Sequence, residues 1–494
     1  MKRQISLLLA LTLVLLSLFS CGESTENSDE PAEAGTDSPS SVTVTEEETE
    51  PPKPEDTLPV EDLGGYSFRV LNNISNFAYT NIGEEGLTGE SLDDAIFNRN
   101  KAVEDTLNLT FELEKREYAD TDATIKKVVA AGEDTYDFYT CDLNFVINHA
   151  LSGCDVNVLT IDSLSLDNPW WNRQAIDSVS IGDAVYAFFG DMHLGYFESH
   201  AVAVFNKDIL NNLNLADPYE HVHNNTWTLD SMITMLDAAK MDLNGDGKWT
   251  VDDQYGFTMY EGNFSTAFTC GGGASILAKD ENNIPVWGGV SEHFVDVYNK
   301  VAGEIFDERS NNAINVSGTL PGSLELYRLM FLYGRALFLC TQIGVLKDMR
   351  DAQFELGVVP MPKYDEEQKD YRSLIFQGAN TVAIPVTNPD IERTGLVLEH
   401  LCARSYTVRD VYLNQTLDFK YIQDQEGQEM MDFILSTGLF ELEAVYGWGG
   451  LSGKILTGIN SGNLNIVSKI AKLSSKTEAA IQKTVDAFAE VGKG

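Results

Sequence analysis

From residue 66 the chain alternates between short apolar runs and longer segments in which apolar residues return every three to four positions. Residues 66–71, 110–114 and 136–141 read as strands, and 91–107 and 122–131 as helices, the first with Leu92, Ile96, Val103 and Leu107 on one face. A βαβαβ start of this kind predicts a mainly parallel sheet covered by helices. Residues 183–207, DAVYAFFGDMHLGYFESHAVAVFNK, hold two apolar strands, 185–189 and 201–205, around a loop broken by Gly190, Asp191 and Gly195. That stretch predicts a passage from one packed unit to another. Ligands commonly lie at such crossings, so Asp191, His193, Glu198 and Ser199 become candidates. The alternation then resumes, with helices predicted over 229–241, 292–308, 324–339 and 394–403, strands over 256–260, 355–359 and 381–384, and a closing helix over 466–491.

A length of 494 residues, 43% of them hydrophobic, implies more than one domain with sizeable cores. The chain opens with a basic MKR, an apolar run over 5–19 and LFSC, which predicts export. The pattern resembles a bacterial lipobox, implying cleavage before Cys21, a lipid on that cysteine and retention on the outer face of the cell membrane. Residues 22–62 hold 14 acids against Lys53 alone and almost no large apolar residue, so a disordered, self-repelling acidic tether is expected there. The net charge of −42 argues against nucleic acid and anionic membrane surfaces as partners. Arg328 and Arg335 interrupt the one later apolar stretch, 326–346, too early for a membrane span.

The most specific local motif is DLNGDGKWTVDD over 242–253. Its D-x-N-x-D-G spacing, closed by a carboxylate at loop position 12, is the oxygen pattern that wraps Ca²⁺. Asp242, Asn244 and Asp246 would give side-chain oxygens, Lys248 its carbonyl, Thr250 a direct or water-mediated oxygen and Asp253 the closing carboxylate, in a structural site. The alternative is an Asn/Asp/Gly turn held by its own side chains. Sequence signatures of nucleophilic hydrolases, zinc proteases, P-loops and dinucleotide sites are missing. Five cysteines beyond Cys21 lack C-x-x-C spacing and read as buried thiols, with Cys141 and Cys154 as a possible disulfide. Aromatic residues beside polar ones, at Trp170-Trp171-Asn172 and at Tyr446-Gly447-Trp448-Gly449-Gly450, suit a carbohydrate cleft, because sugar C–H faces stack on flat rings; core packing is the competing reading.

The lipobox, the acidic tether, the 183–207 crossing, NNTWTLDSM at 224–232, DLNGDGKWTVDDQYGF at 242–257 and GVVPMPKYDEEQKDY at 357–371 together resemble family 1 extracellular solute-binding proteins of ABC importers. The chain is most similar to the long, carbohydrate-associated lipoproteins of Gram-positive bacteria. The resemblance implies an α/β type II periplasmic-binding-protein fold, two α/β lobes joined by crossing strands with a ligand cleft between them. Lobe 1 would comprise residues 63–200 plus 365–405 and lobe 2 residues 201–364 plus 406–494. It implies ligand contacts at Asn73, Asp142 and Asn144 after the first and third strands, at Asp191 and Glu198 in the crossing, and at Tyr446 and Trp448 late in the chain. A carbohydrate solute, membrane permease subunits as partners, a monomer and no covalent chemistry follow from the same resemblance. A different solute such as a peptide, or a surface glycosidase, remains the alternative.

Overall fold

The computed structural model describes residues 53–74, 82, 86–259, 264–307, 309–315, 325–417 and 425–491. The leader, Cys21 and most of the expected tether lie outside them. The compact body begins at Lys53, earlier than the boundary read from composition. Its first turn, Pro54–Thr57, packs on a later helix, and the Pro59 carbonyl accepts a hydrogen bond from His400 Nε2 at 2.9 Å.

The strands of the two main sheets are β1 (Tyr66–Asn73), β2 (Leu109–Arg116), β3 (Phe138–Asp142), β4 (Ala201–Asn206), β5 (Tyr255–Met259), β6 (Ala313–Asn315), β7 (Ala336–Gln342), β8 (Leu356–Val359) and β9 (Asn380–Ala383). They form two main sheets, ordered β9-β3-β1-β2 and β8-β4-β7-β5-β6. In the first, β1 runs parallel to β2 and β3 while β9 is antiparallel to β3. In the second, β5 runs parallel to β6 and β7 while β4 is antiparallel to β7 and β8. Each sheet thus holds one reversed strand beside its third parallel strand, and that strand arrives from the other sheet's stretch of chain: β4 follows the first βαβαβ unit, and β9 follows β8. These are the outward and return crossings. They meet where His200 bridges Ile375, the Ile343 N–H donates to the His200 carbonyl (3.0 Å) and the Phe376 N–H to the Ser199 carbonyl (3.1 Å).

The helices that matter for the site are α1 (Ser91–Leu107), α2 (Tyr118–Ala131), α3 (Leu143–Leu151), α4 (Leu194–Glu198), α5 (Leu229–Ala239), α6 (Ile391–Ala403), α7 (Tyr406–Val411), α8 (Gln425–Ser436), α9 (Leu442–Tyr446) and α10 (Ser474–Val491). Every residue of β4 is buried, which is why it reads as a continuous apolar run. Phe205, Tyr219, Trp227 and Phe338 form one aromatic cluster beneath lobe 2's sheet, and the Trp227 indole N–H donates to the Pro360 carbonyl at 2.8 Å. Gly357 has no side chain because the ring of Phe205 occupies the space a Cβ would take.

Three expectations change. The helix predicted over 324–339 is a helix only over Leu326–Leu332; Gly334, at φ +68°, ends it, and the apolar run that follows is β7, central in lobe 2. Periodicity alone cannot separate a fully buried strand from a buried helix. The strand at 185–189 makes only an isolated bridge, Phe188 to Val382, beside β9. The C-terminal helices, expected on lobe 2, are shared: α7 packs on α1, and α9 and α10 on α3, while Leu451–Asn460 packs on the lobe 2 helix Phe264–Gly271. All five described cysteines are free and buried.

Candidate functional site

The C-terminal ends of β1 and β3 place Asn72, Asn73 and Asp142 side by side. The Thr140 hydroxyl clamps them: it accepts from the Asn73 N–H and donates to Asn72 Oδ1, both at 2.9 Å. Asn73 Nδ2 then donates to Asp142 Oδ1 at 3.1 Å. Burial pushes Asp142 up to about 6, against the pull of the Asn73 amide. Asp142 is also the residue before α3, whose first two N–H groups, from Leu143 and Asn144, donate to the return-crossing carbonyls of Ala379 (2.9 Å) and Gln377 (3.4 Å). Asn144 is half-buried and its Oδ1 accepts from the Phe145 N–H at 3.0 Å, so its amide is engaged locally. A buried amide held against a carboxylate can donate to and accept from neighbouring hydroxyls.

Asp191 follows the 185–189 segment at the same end of lobe 1's sheet, and its Oδ1 accepts from Arg409 Nη1 at 2.9 Å. Trp170 and Trp171 flank it, and both indole N–H groups donate to the carboxylate of Glu399, at 2.7 and 3.1 Å. Arg409 and Glu399 come from more than two hundred residues away, and no local signal marks them.

The late aromatic pair lies elsewhere than expected. Trp448 is buried, at 3% exposure; its ring stacks on Tyr446 at 4.6 Å and its indole N–H donates to Thr484 Oγ1 of α10 at 2.9 Å. The Tyr446 hydroxyl donates to the Val179 carbonyl at 2.6 Å. The glycines beside Trp448 serve the backbone: Gly447 caps α9 at φ +64°, and Gly449, at φ +65°, lies so close to Thr477 that a Cβ would collide. Just before them stand two carboxylates that sequence reasoning missed. Glu441 Oε1 accepts from the Ser275 hydroxyl at 2.9 Å, and Glu443 Oε2 is buried with no hydrogen-bond partner. Burial pushes both up, and the charge of Glu441 pushes Glu443 further. They border a void of about 20 Å³, room for about one water, beside Gln377 of the return crossing.

In the 242–253 loop the side-chain oxygens turn onto their own backbone. Asp242 accepts from the Gly245 and Gly247 N–H groups (2.8 and 2.7 Å), Asn244 from Asp246 (2.9 Å), and Asp246 from Lys248 (2.8 Å). Asp253 accepts from the Thr250 N–H at 2.8 Å, which holds it below the usual carboxylate range. Among the described residues no group of three or more His, Cys, Asp or Glu converges as a ligand set.

No family model matches the sequence, and no curated protein is similar enough to count as a relative. The fold has many counterparts among solved structures. The ABC substrate-binding protein Lmo0181 from Listeria monocytogenes, solved with cycloalternan, aligns with 87% of this chain and 99% of its own at 14% identity and a TM-score of 0.50. A family 1 extracellular solute-binding protein from Bifidobacterium longum subsp. infantis aligns over 85% and 99% at 12% identity and TM-score 0.52. UgpB from Mycobacterium tuberculosis, solved with glycerophosphocholine, aligns over 85% and 100% at 13% identity and TM-score 0.51. This is the solute-binding protein fold.

In that fold Glu198 sits in the crossing, and the structure buries it at 1% exposure instead of leaving it open to a ligand. Its Oε1 accepts from the Tyr412 hydroxyl at 3.1 Å, and Gly344, just after β7, packs on its side chain. Burial pushes Glu198 up to about 7, opposed by the nearby Lys347 and the Tyr412 hydrogen bond and assisted by Asp348. Since the folded value lies above the usual 4.5, the folded chain keeps a proton that the unfolded chain releases. The stability linked to that proton is complete below the unfolded value and is lost as pH rises through the folded one. Glu198→Gln keeps the shape and removes the ionisation. The variant should match the wild type near pH 4.5 and exceed it by about 1–3 kcal/mol at pH 8 in denaturant titrations. A difference independent of pH would show that burial does not govern this group.

Proposed function

We propose that the chain is the solute-binding component of an ABC importer, capturing a carbohydrate of oligosaccharide size and handing it to a membrane permease without covalent chemistry. The observation that carries this reading is the pair of sheets, each completed by a strand from the other's stretch of chain, with the Asn73–Asp142 pair held at the strand ends that face the crossing. Such an arrangement suits closure around a solute whose hydroxyls need both donors and acceptors. The structural neighbour solved with cycloalternan supports a carbohydrate, and the one solved with glycerophosphocholine keeps a non-sugar solute as the second reading.

Calorimetry against an oligosaccharide panel tests it. Asp142→Ala should weaken binding about 10- to 100-fold, the usual worth of hydrogen bonds to a charged group. Wild-type affinity should rise between pH 5 and 7 as Asp142 ionises near its value of about 6. Binding untouched by the substitution would remove this edge from the site, and turnover of the sugar would favour a glycosidase.

We also propose the placement. Cys21 would carry the lipid on the outer face of the cell membrane, and residues 22–52 would form the tether to a monomeric body. Among the described residues no helix is long and apolar enough to cross a membrane. The 242–253 loop has the donor chemistry for Ca²⁺ in Asp242, Asn244, Asp246, the Lys248 carbonyl, Thr250 and Asp253, with α5 entering and β5 leaving. Chelation should lower the melting temperature and Asp246→Ala should erase that difference; equal melting with Ca²⁺ and with chelator leaves a turn held by its own Asx bonds.

A further inference from the structure

Lobe 1 buries a row of polar side chains that neither the strand-end edge nor the crossing uses. The hydroxyl oxygen of Tyr139, on β3, lies 2.8 Å from Asp155 Oδ1 and 2.8 Å from His149 Nδ1. His149 Nε2 in turn lies 2.8 Å from Asp122 Oδ1, and Lys126 Nζ holds the same oxygen at 2.7 Å. Tyr139, His149 and Asp155 have no exposed surface, while Asp122 reaches solvent. The four come from separate elements: Asp122 from α2, Tyr139 from β3, His149 from the last turn of α3, and Asp155 from the segment that bridges Pro385 just after β9.

Each of these three contacts along the row needs one proton between its two atoms. A phenol supplies one, a neutral imidazole one and a carboxylate none. Ordinary ionisation therefore leaves two protons for three contacts, with lone pairs face to face at one of them. A third proton completes the row, resting on His149 or on Asp155. On His149 it would leave Asp155 an ionised carboxylate in the core, with no hydrogen-bond partner for Oδ2, and a buried charge left half-answered is costly. On Asp155 it leaves only a neutral carbonyl oxygen unanswered. Burial pushes Asp155 well above the usual carboxylate range, and burial also holds His149 below the usual imidazole value against the pull of Asp122. Asp122, which partial burial would raise, is held low by Lys126 and His149. The other groups that feel Asp155 are Cys141, Cys154 and Tyr186, and burial raises all three, so each stays neutral. From the remaining elements packed on α3, β9 brings no titratable side chain, α9 brings the buried Glu443, and the charged residues of α10 are exposed.

We propose that Asp155, Tyr139 and His149 form a proton-binding site in the core of lobe 1, which keeps one proton on Asp155 at neutral pH and thereby sets the direction of the whole row. The Asp155 O–H donates to the Tyr139 oxygen, the Tyr139 O–H to Nδ1 of a neutral His149, and the His149 Nε2–H to Asp122. Loss of the proton turns the Tyr139 hydroxyl onto the Asp155 carboxylate and leaves His149 Nδ1 facing an oxygen with no hydrogen between them, which loosens the corner of β3 and α3. Those two elements meet at Asp142, so the site makes the wall behind the strand-end edge firmest in acid. The folded chain keeps a proton that the unfolded chain releases; the stability it contributes is complete below the unfolded value and is lost as pH rises through the folded one. None of this depends on which solute the protein takes.

The experiment compares the purified full chain with Asp155→Asn, whose amide N–H₂ donates to Tyr139 as the protonated acid does. Both are titrated with denaturant at pH 5, 6 and 7, and the His149 ring nitrogens of the wild type are followed by nitrogen NMR. The folding equilibrium constant of the wild type relative to Asp155→Asn should fall about tenfold per pH unit, and His149 should stay neutral with its proton on Nε2 throughout. A ratio that is flat across the range means that Asp155 is ionised in the folded chain and overturns the proposal. A His149 imidazolium at pH 7, or a neutral ring protonated on Nδ1, overturns it equally, and that measurement stands even where Asp155→Asn fails to fold. Either failure leaves the transport reading untouched.

Discussion

Glu399→Ala should destabilise the fold by about 3–5 kcal/mol, the usual range for removing one member of a buried, charge-assisted network. Glu399, on α6 and 2% exposed, accepts from the Ser165 N–H (2.6 Å), Asn168 Nδ2 (3.0 Å), Trp170 Nε1 (2.7 Å) and Trp171 Nε1 (3.1 Å). Alanine strands two buried indole N–H groups and opens a void beneath both rings. Glu399→Gln should cost less, because its carbonyl oxygen still accepts while its amide N–H₂ faces donors. Denaturant unfolding at pH 7 measures both. A loss below about 1 kcal/mol for alanine would mean that the indoles find other acceptors. The consequence reaches function, since the same two tryptophans wall a cavity beside Asp191.

Much of the fold is legible because each lobe's parallel strands are separated by amphipathic helices of strong period, so β1, α1 and β3 lie within a few residues of their predicted ranges. The crossing is legible too, since Gly190, Asp191 and Gly195 punctuate two apolar runs; the short helix α4 between them is not, as it is buried throughout and shows no polar face. β7 is not legible as a strand, because a central strand buried on both faces has no alternation to betray it. In the site, Asn73 and Asp142 come from the family resemblance, which implies ligand loops after the first and third strands. Thr140, Glu399 and Arg409 do not, because what defines them is a partner far along the chain, and periodicity carries no information on long-range pairing. Glu198 shows the converse: a carboxylate in a crossing loop suggests a ligand contact, yet the short α4 turns it inward beneath Gly344.

Trp448→Ala should also cost about 3–5 kcal/mol, by loss of transfer free energy and creation of a cavity, while leaving the saccharide affinity of the folded fraction within about twofold. The glycines around Trp448 invite the reading of an indole freed to meet a ligand, but a glycine also appears where the backbone must turn left-handed or approach a neighbour closely. Here it does both: Gly447 and Gly450 hold φ +64° and +78°, and Gly449 lies against Thr477. The indole therefore bridges α9 to α10, stacked on Tyr446 and donating to Thr484. Trp448→Phe keeps most of the stacking area and loses only the hydrogen bond, so its cost should be about 1–2 kcal/mol. Thr484 retains a partner, since its hydroxyl also donates to the Ala480 carbonyl at 3.2 Å. Ligand-free stability and saccharide affinity, measured on both variants, separate the two roles: a tenfold loss of affinity with little change in stability would return the indole to the solute.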